Sequence, residues 1–177
     1  MPRIQPIRRE NTAGQLAVTL DAVKAKVGML PNLLATLANS ESGLNAYLSL
    51  SEALAGGRLT AAQREVIALA IGQANKCQYC LSAHTLISKG AGLSEPAIQA
   101  ARAGRGESAL DSALAGLAVK LVNQRGQLSD ADVAGARSAG VDDGLIVEVI
   151  AHVALNTLTN YTNHVAATDI DFPVVPL

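Results

Sequence analysis

Five times in this chain a Ser, Thr or Asp stands just ahead of a stretch whose apolar residues recur at helical spacing: Thr60, Ser94, Ser108, Ser129 and Asp142. Such residues cap helix N-termini, because their side-chain oxygens satisfy backbone N–H groups that the first turn leaves free. Gln63 follows Thr60 at capping-box spacing, and Pro96 falls in the first turn after Ser94. No stretch alternates apolar and polar residues as a strand would. The pattern therefore predicts an all-α chain.

The predicted helices fill most of the sequence. Residues 1–11 read as an irregular lead-in with prolines at 2 and 6, followed by a helix from about Thr12 to Val27 that Gly28 closes. Pro31 restarts the chain, and Leu33, Leu34, Leu37, Leu44, Tyr47, Leu48 and Leu50 mark further helix up to Gly56-Gly57. The helix after Thr60 carries Val66, Ile67, Leu69 and Ile71 and weakens at Asn75-Lys76. Another starts at or just before Cys77 and ends near Lys89-Gly90. The stretch after Ser108 has Leu110, Leu114, Leu117 and Leu121 in phase, and the last long helix carries Leu145, Ile146, Val149, Ile150, Val153 and Leu158. The tail Asp171-Phe172-Pro173 is too proline-rich to continue it.

Length and composition suit one domain over residues 1–177, with a core at 30–124 that carries the cysteines and a second helical unit and tail at 125–177. Of the residues, 49% are hydrophobic and 2% aromatic, with no Trp. Small aliphatic side chains of high helix propensity suit closely packed helices, and burial between subunits would add area, which fits a homo-oligomer. A weak internal echo links Ala91-Gly92-Leu93-Ser94 with Ala139-Gly140-Val141-Asp142, each leading into a helix. It is either a trace of duplication or a common helix–helix connection. A net charge of −1 without a basic stripe argues against nucleic acid as a partner. The apolar runs are too short for a membrane span, and the N-terminal residues lack a signal-type apolar core, which leaves the cytoplasm as the default location.

Reactive groups concentrate in one place. Cys77, Cys80 and His84 follow one another at helical spacing, and Glu65 lies on the preceding helix. Cys77 and Cys80 are the only cysteines. In a cytoplasmic protein a close pair of this kind points to redox chemistry or metal binding before a structural staple. Residues at i, i+3 and i+7 share a helix face, and side chains lean toward the N-terminus, so His84 reaches back over Cys80. Both thiols fall in a first turn, where free N–H groups favour an anion. A thiol with a pKa of about 8.5 is only about 3% thiolate at pH 7, and one lowered to about 6 is about 90% thiolate. A second cysteine nearby can capture the sulfenic acid that peroxide generates. Glu65 has Ala61, Ala62, Ala68, Leu69 and Gly72 at helical spacing. A buried carboxylate in that setting would have a raised pKa and suit a general base or proton relay; a solvated helix-edge Glu is the plain alternative. Zinc held by the cysteines and His84 would need a fourth ligand from Glu65, His152 or His164. The cysteines could also simply pack in the core.

The combined pattern is more specific than its parts. Leu59-Thr60-x-x-Gln63-Arg64-Glu65, Asn75-x-Cys77-x-Tyr79-Cys80-x3-His84 and Ala91-Gly92-Leu93 resemble the carboxymuconolactone decarboxylase-like superfamily. More narrowly they resemble its alkyl hydroperoxidase D branch with its peroxidase-related members. The tail from Asn156 through Asn160, Asn163 and His164 to Pro173 is similar to that subgroup as well. The resemblance implies an all-helical fold assembled as trimers or hexamers, and an enzyme that reduces hydroperoxides through a dithiol/disulfide cycle. Carried over, Cys80 is the peroxidatic thiol, Cys77 the resolving one, and Glu65 with His84 the proton relay. No cofactor is bound. An external dithiol, in the best-understood members a lipoylated protein, reduces the disulfide. The branch has a second histidine just before the peroxidatic cysteine, where this chain has Tyr79. A phenol titrating near about 10 cannot relay protons as imidazole does, so Tyr79 is an auxiliary residue that orients a water or the thiolate, or packs. Two other functions stay open: a carboxymuconolactone decarboxylase-type enzyme, and a non-catalytic oligomeric module that senses redox state or binds metal. Among the apolar residues of the last helix, His152 reads as a satisfied core or interface histidine, and His164 with Asn160 and Asn163 as a subunit contact.

Overall fold

The computed structural model describes all 177 residues and is built from helices, with no β-strand. In chain order they are α1 (Gly14–Val27), α2 (Asn32–Leu37), α3 (Glu41–Ala55), α4 (Ala61–Ala74), α5 (Gln78–Gly90), α6 (Glu95–Arg102), α7 (Ala109–Asn123), α8 (Asp130–Ser138) and α9 (Asp143–Ala166). All five predicted caps are in place: Thr60, Ser94, Ser108, Ser129 and Asp142 each accept a hydrogen bond from the third residue on. Thr60 and Gln63 form the reciprocal capping box.

Differences from the sequence reading are local. The lead-in contains a single 3-10 turn, Arg9–Asn11, and α1 begins at Gly14 because Ala13 is extended. The apolar stretch after Pro31 is two helices, since Ser40 caps α3 anew. Cys77 is not the first residue of α5 but its cap, with extended backbone. The internal echo is one of turn geometry. Gly92 and Gly140 both sit at positive φ (90° and 92°), where a side chain would be strained. Leu93 N–H donates to Ser88 O and Val141 N–H to Ala136 O, both at 3.0 Å. Arg105 N–H makes the same bond to Ala100 O at the end of α6, and the helices that follow the two echoed turns differ, 8 residues in α6 and 24 in α9.

α4 is the centre of the packing. Val66, Ile67, Ala68, Leu69, Ala70, Ile71 and Gly72 are all buried in sequence, so the helix has no solvent face there. Its two sides meet two clusters. Ile67 and Ile71 join Leu114, Leu117 and Leu121 of α7 and Leu145 and Val149 of α9. Val66, Leu69 and Ala70 join Leu81 of α5, Ile98 and Ala101 of α6, and Ala115 of α7. A third cluster, around Leu20, Leu34, Leu37 and Leu44, unites α1, α2 and α3. α9 packs against α2, α3, α4, α5 and α7. No helix is long and apolar enough to cross a membrane.

One polar contact fixes the entry to α4. The Glu148 carboxylate of α9 accepts from the Arg58 and Leu59 N–H groups, both at 3.1 Å. A Cβ at Gly57 would fall 2.3 Å from Glu148 Oε1, so only glycine leaves room for that carboxylate. Glu148→Ala strands two backbone donors and is expected to cost about 1–3 kcal/mol in chemical denaturation. The exposed Arg137–Asp143 pair is the contrast: Arg137→Ala should leave the midpoint unchanged.

Candidate active site

The chain reverses sharply between α4 and α5. Lys76 takes up a left-handed conformation (φ 55°), and Cys77 N–H donates to Gly72 O at 2.9 Å. The turn sets Cys77 at the N-cap, where its Sγ accepts from Cys80 N–H at 3.3 Å. Cys77 and Cys80 are joined in a disulfide, Cα to Cα 5.3 Å. Both are buried, at 0% and 3% exposure. Leu33 of α2 and Ile170 and Phe172 of the C-terminal tail pack over the pair.

Glu65 and His84 meet across the α4–α5 contact, with Oε2 and Nδ1 2.8 Å apart. Their side chains retain 14% and 23% exposure, so the pair lies at the edge of the core. Glu65 is therefore neither solvated nor alone. Burial is the largest influence on His84 and pushes its pKa down, but the charge and hydrogen bond of Glu65 together outweigh it and hold the imidazole above the ordinary 6.5. Being four residues beyond Cys80 on α5, His84 lies on the face that carries the sulfur.

Tyr79 points away from proton transfer. Its hydroxyl accepts from Leu33 N–H at 3.1 Å, and its ring meets Phe172 edge to face, with centroids 5.6 Å apart. Burial is the main cause that drives the phenol far above its usual pKa; the Leu33 N–H opposes this, and the Asp171 carboxylate adds to it. Asp171 in turn accepts from Asn32 N–H at 2.7 Å, and Asn32 Nδ2 donates to Asp169 O at 3.0 Å. Further along, Gln78 Nε2 donates to Val175 O and Val175 N–H to Ser82 Oγ. Tyr79 thus ties α5 to the start of α2 and to the tail that crosses above the cysteines.

The residues that the sequence reading misplaces are on α9. Asn160 and Asn163 do not face a partner; they are buried at 0% and 5% exposure against the disulfide. Asn160 Nδ2 lies 3.0 Å and Asn163 Nδ2 3.3 Å from Cys80 Sγ. Their i, i+3 spacing put them on one helix face, and two amides beside an apolar stripe were the signal that they serve something buried. Asn75 Nδ2 holds Asn160 Oδ1 at 2.8 Å. His164, by contrast, is exposed. His152 is buried as a core histidine would be, but its Nε2 has no hydrogen-bond partner. Burial above all lowers its pKa, with Arg64 acting the same way and Glu148 and Glu65 opposing. The charge of Glu65 also reaches Tyr47, whose phenol is raised mainly by burial. No three His, Cys, Asp or Glu side chains come together as a metal-ligand set.

Residues 43–115, from α3 into α7, match the model of the carboxymuconolactone decarboxylase family. A stretch of 95 residues is 30% identical to an alkyl hydroperoxide reductase of Mycobacterium tuberculosis, covering 53% of this chain and 28% of that protein. The chain thus spans little more than a quarter of the curated relative it matches. Solved structures share the whole architecture. The alkylhydroperoxidase AhpD core of a peroxidase-related protein from Ralstonia eutropha superposes with a TM-score of 0.85 at 22% identity, over 96% of this chain and 92% of its own. A peroxidase-related protein from a Silicibacter species gives 0.78 at 22% identity, over 95% and 93%. The debrominase Bmp8, in complex with 2,3,4-tribromopyrrole, gives 0.79 at 18% identity, over 96% and 91%. Residues 43–115 are thus similar to the carboxymuconolactone decarboxylase family, and the chain as a whole has the fold of the alkylhydroperoxidase AhpD core.

Proposed function

We propose that this chain is a thiol-dependent peroxidase that reduces hydroperoxides through a Cys77/Cys80 dithiol–disulfide cycle. The observation that carries the reading is a disulfide at the N-terminus of α5 with an imidazole–carboxylate pair one turn further along the same helix. The Cys80 thiolate attacks the distal oxygen of ROOH. An S–O bond forms, the O–O bond breaks, and the alkoxide leaves as ROH after taking a proton. His84, whose hold on its proton is strengthened by Glu65, is the donor of that proton. The Cys77 thiol then attacks the Cys80 sulfenic sulfur. The S–S bond forms and hydroxide departs as water. An external dithiol, such as a lipoylated protein, returns both cysteines to thiols and leaves as a disulfide. No bound cofactor enters the cycle. A cytoplasmic setting, which keeps dithiols reduced, suits it.

Tyr79 acts in this scheme as a packing residue, so the relay rests on His84 and Glu65. In a Cys77→Ser variant exposed to peroxide, a sulfenate-specific reagent should label Cys80. Absence of label there, or undiminished peroxide consumption by Cys80→Ser, rejects the cycle.

The Glu65–His84 pair gives a pH signature. Since the folded pKa of His84 lies above 6.5, the pair's contribution to stability is complete below about 6.5 and is lost as pH rises through the raised value. Glu65→Gln removes the charge that raises it and leaves burial, which lowers it. The His84 ring signals in NMR should then titrate at lower pH than in the native protein. The alkaline limb of the activity profile should move the same way. Titration unchanged in Glu65→Gln contradicts the relay.

A homo-oligomer, trimer or hexamer, accompanies this reading. Val147, Ile150, Leu158, Tyr161 and Val165 are exposed at helical spacing along the outer side of α9, an apolar stripe suited to a second copy. Replacing Ile150 and Tyr161 with Glu should shift the sedimentation coefficient to that of a monomer, while a monomeric native protein would refute the assembly.

A further inference from the structure

We infer that Asn160 and Asn163 of α9 are catalytic residues that stabilise the Cys80 thiolate, and that Asn75 is the positioning residue that aims Asn160. The inference rests on the reading of Cys80 as the reacting thiol. Two buried side-chain amides converge on one sulfur. Asn160 Nδ2 is 3.0 Å and Asn163 Nδ2 3.3 Å from Cys80 Sγ, whereas Cys77 Sγ receives the Cys80 backbone N–H at 3.3 Å and, from side chains, only the longer Asn163 contact at 4.0 Å. The side-chain donors thus favour Cys80 over Cys77.

A disulfide sulfur is a weak acceptor, so both amides are poorly satisfied in the oxidised protein. Buried polar groups usually find hydrogen bonds, and exceptions cluster where chemistry changes the acceptor. Reduction supplies that change, because a thiolate takes strong, charge-assisted hydrogen bonds from the same N–H groups. The arrangement therefore favours the reduced, ionised form of Cys80. It lowers the thiol pKa and makes the disulfide easier to reduce.

Asn75 decides which end of the Asn160 amide faces the sulfur. Its Nδ2 donates to Asn160 Oδ1 at 2.8 Å, which turns the Asn160 Nδ2 toward Cys80. Asn75 is the C-cap of α4, two residues before Cys77, so the turn that places the cysteines also places this donor. Other titratable groups lie around the pair: Tyr79 and His84 on α5, Glu65 on α4, His152 on α9 and Asp171 in the tail. On α6, Glu95 pairs with Lys89 and Arg102 bonds Gln73 and Pro176 O. None of these side chains hydrogen-bonds to either sulfur, whose side-chain donors are the two asparagines.

The test reads the Cys80 pKa from the pH dependence of its alkylation by iodoacetamide in the full chain carrying Cys77→Ser. This measurement needs no peroxide turnover. Asn160→Leu and Asn163→Leu, close in volume but without donors, should each raise the pKa by about one to two units. Asn75→Ala, at a half-buried position, should raise it by a smaller amount. Thr159→Val, a buried change on the same helix whose hydroxyl bonds Asn156 O, should not move it. In the two-cysteine protein the disulfide of Asn160→Leu should equilibrate with a dithiol buffer at a more reducing potential. A Cys80 pKa unchanged in Asn160→Leu and Asn163→Leu overturns the inference. If the leucine variants do not fold, an unchanged pKa in Asn75→Ala overturns it. Raised pKa values in a protein that consumes no peroxide would uphold it and reject the peroxidase reading instead.

Discussion

The burial of α4 on every side is the constraint on which the site depends. Seven consecutive buried residues from Val66 to Gly72 leave that helix no solvent face, so α5, α6, α7 and α9 must all pack around it. The reactive groups belong to its edges and to its neighbours. Glu65 precedes the buried stretch and Asn75 follows it, and the turn after Asn75 starts α5 with a cysteine cap. Gly72 lies at this approach: a Cβ there would make ordinary contacts with Leu81 (3.4 Å) and Cys80 Cβ (3.8 Å), and its carbonyl accepts the Cys77 N–H. The helix that organises the core thus also fixes the distance between the carboxylate, the sulfurs and the amides.

Polar groups in such a core are costly unless they are paired, and those nearest the sulfurs have particular partners. Glu65 has His84. Asn75 has Asn160. The asparagines in turn address a sulfur that is a poor acceptor when oxidised and a good one when reduced. The amide N–H groups of Asn160 and Asn163 are therefore better matched in the reduced state than in the oxidised one. The tail adds a second dependence on this end of α5. Tyr79, Phe172 and Asp171 close over the disulfide together with the start of α2.

Much of this was legible in the sequence, for reasons that are local. Capping is a short-range rule, and Thr60, Ser94, Ser108, Ser129 and Asp142 obey it without tertiary help. Helical spacing likewise predicts that Cys80 and His84 share a face. What the sequence hid depends on contacts between distant segments. The apolar neighbours of Glu65 indicate burial but not that His84 is its partner. Asn160 and Asn163 read as a subunit contact because a polar pair on an apolar helix has two explanations, an outside partner or a buried one. Only the packing of α9 against α5 decides between them. The proline-rich tail reads correctly as non-helical, yet nothing in its composition reveals that it covers the cysteines.

Tyr79 is where sequence and structure together say the most about mechanism. Its position next to Cys80 invites comparison with a histidine, and a histidine there would be a second proton carrier. The tyrosine hydroxyl is instead spent on the Leu33 N–H, and its ring on Phe172. Burial pushes the phenol's pKa well above its usual value. A chain that gives up a second imidazole needs another way to lower the thiol pKa, and neutral amides can supply it. They stabilise a thiolate without adding a titration of their own, so the pH response of such a site reduces to the Glu65–His84 pair and the sulfur itself. Cover by Tyr79 and the tail, and the amides of Asn160 and Asn163, then belong to one arrangement: a buried sulfur site lined by fixed dipoles.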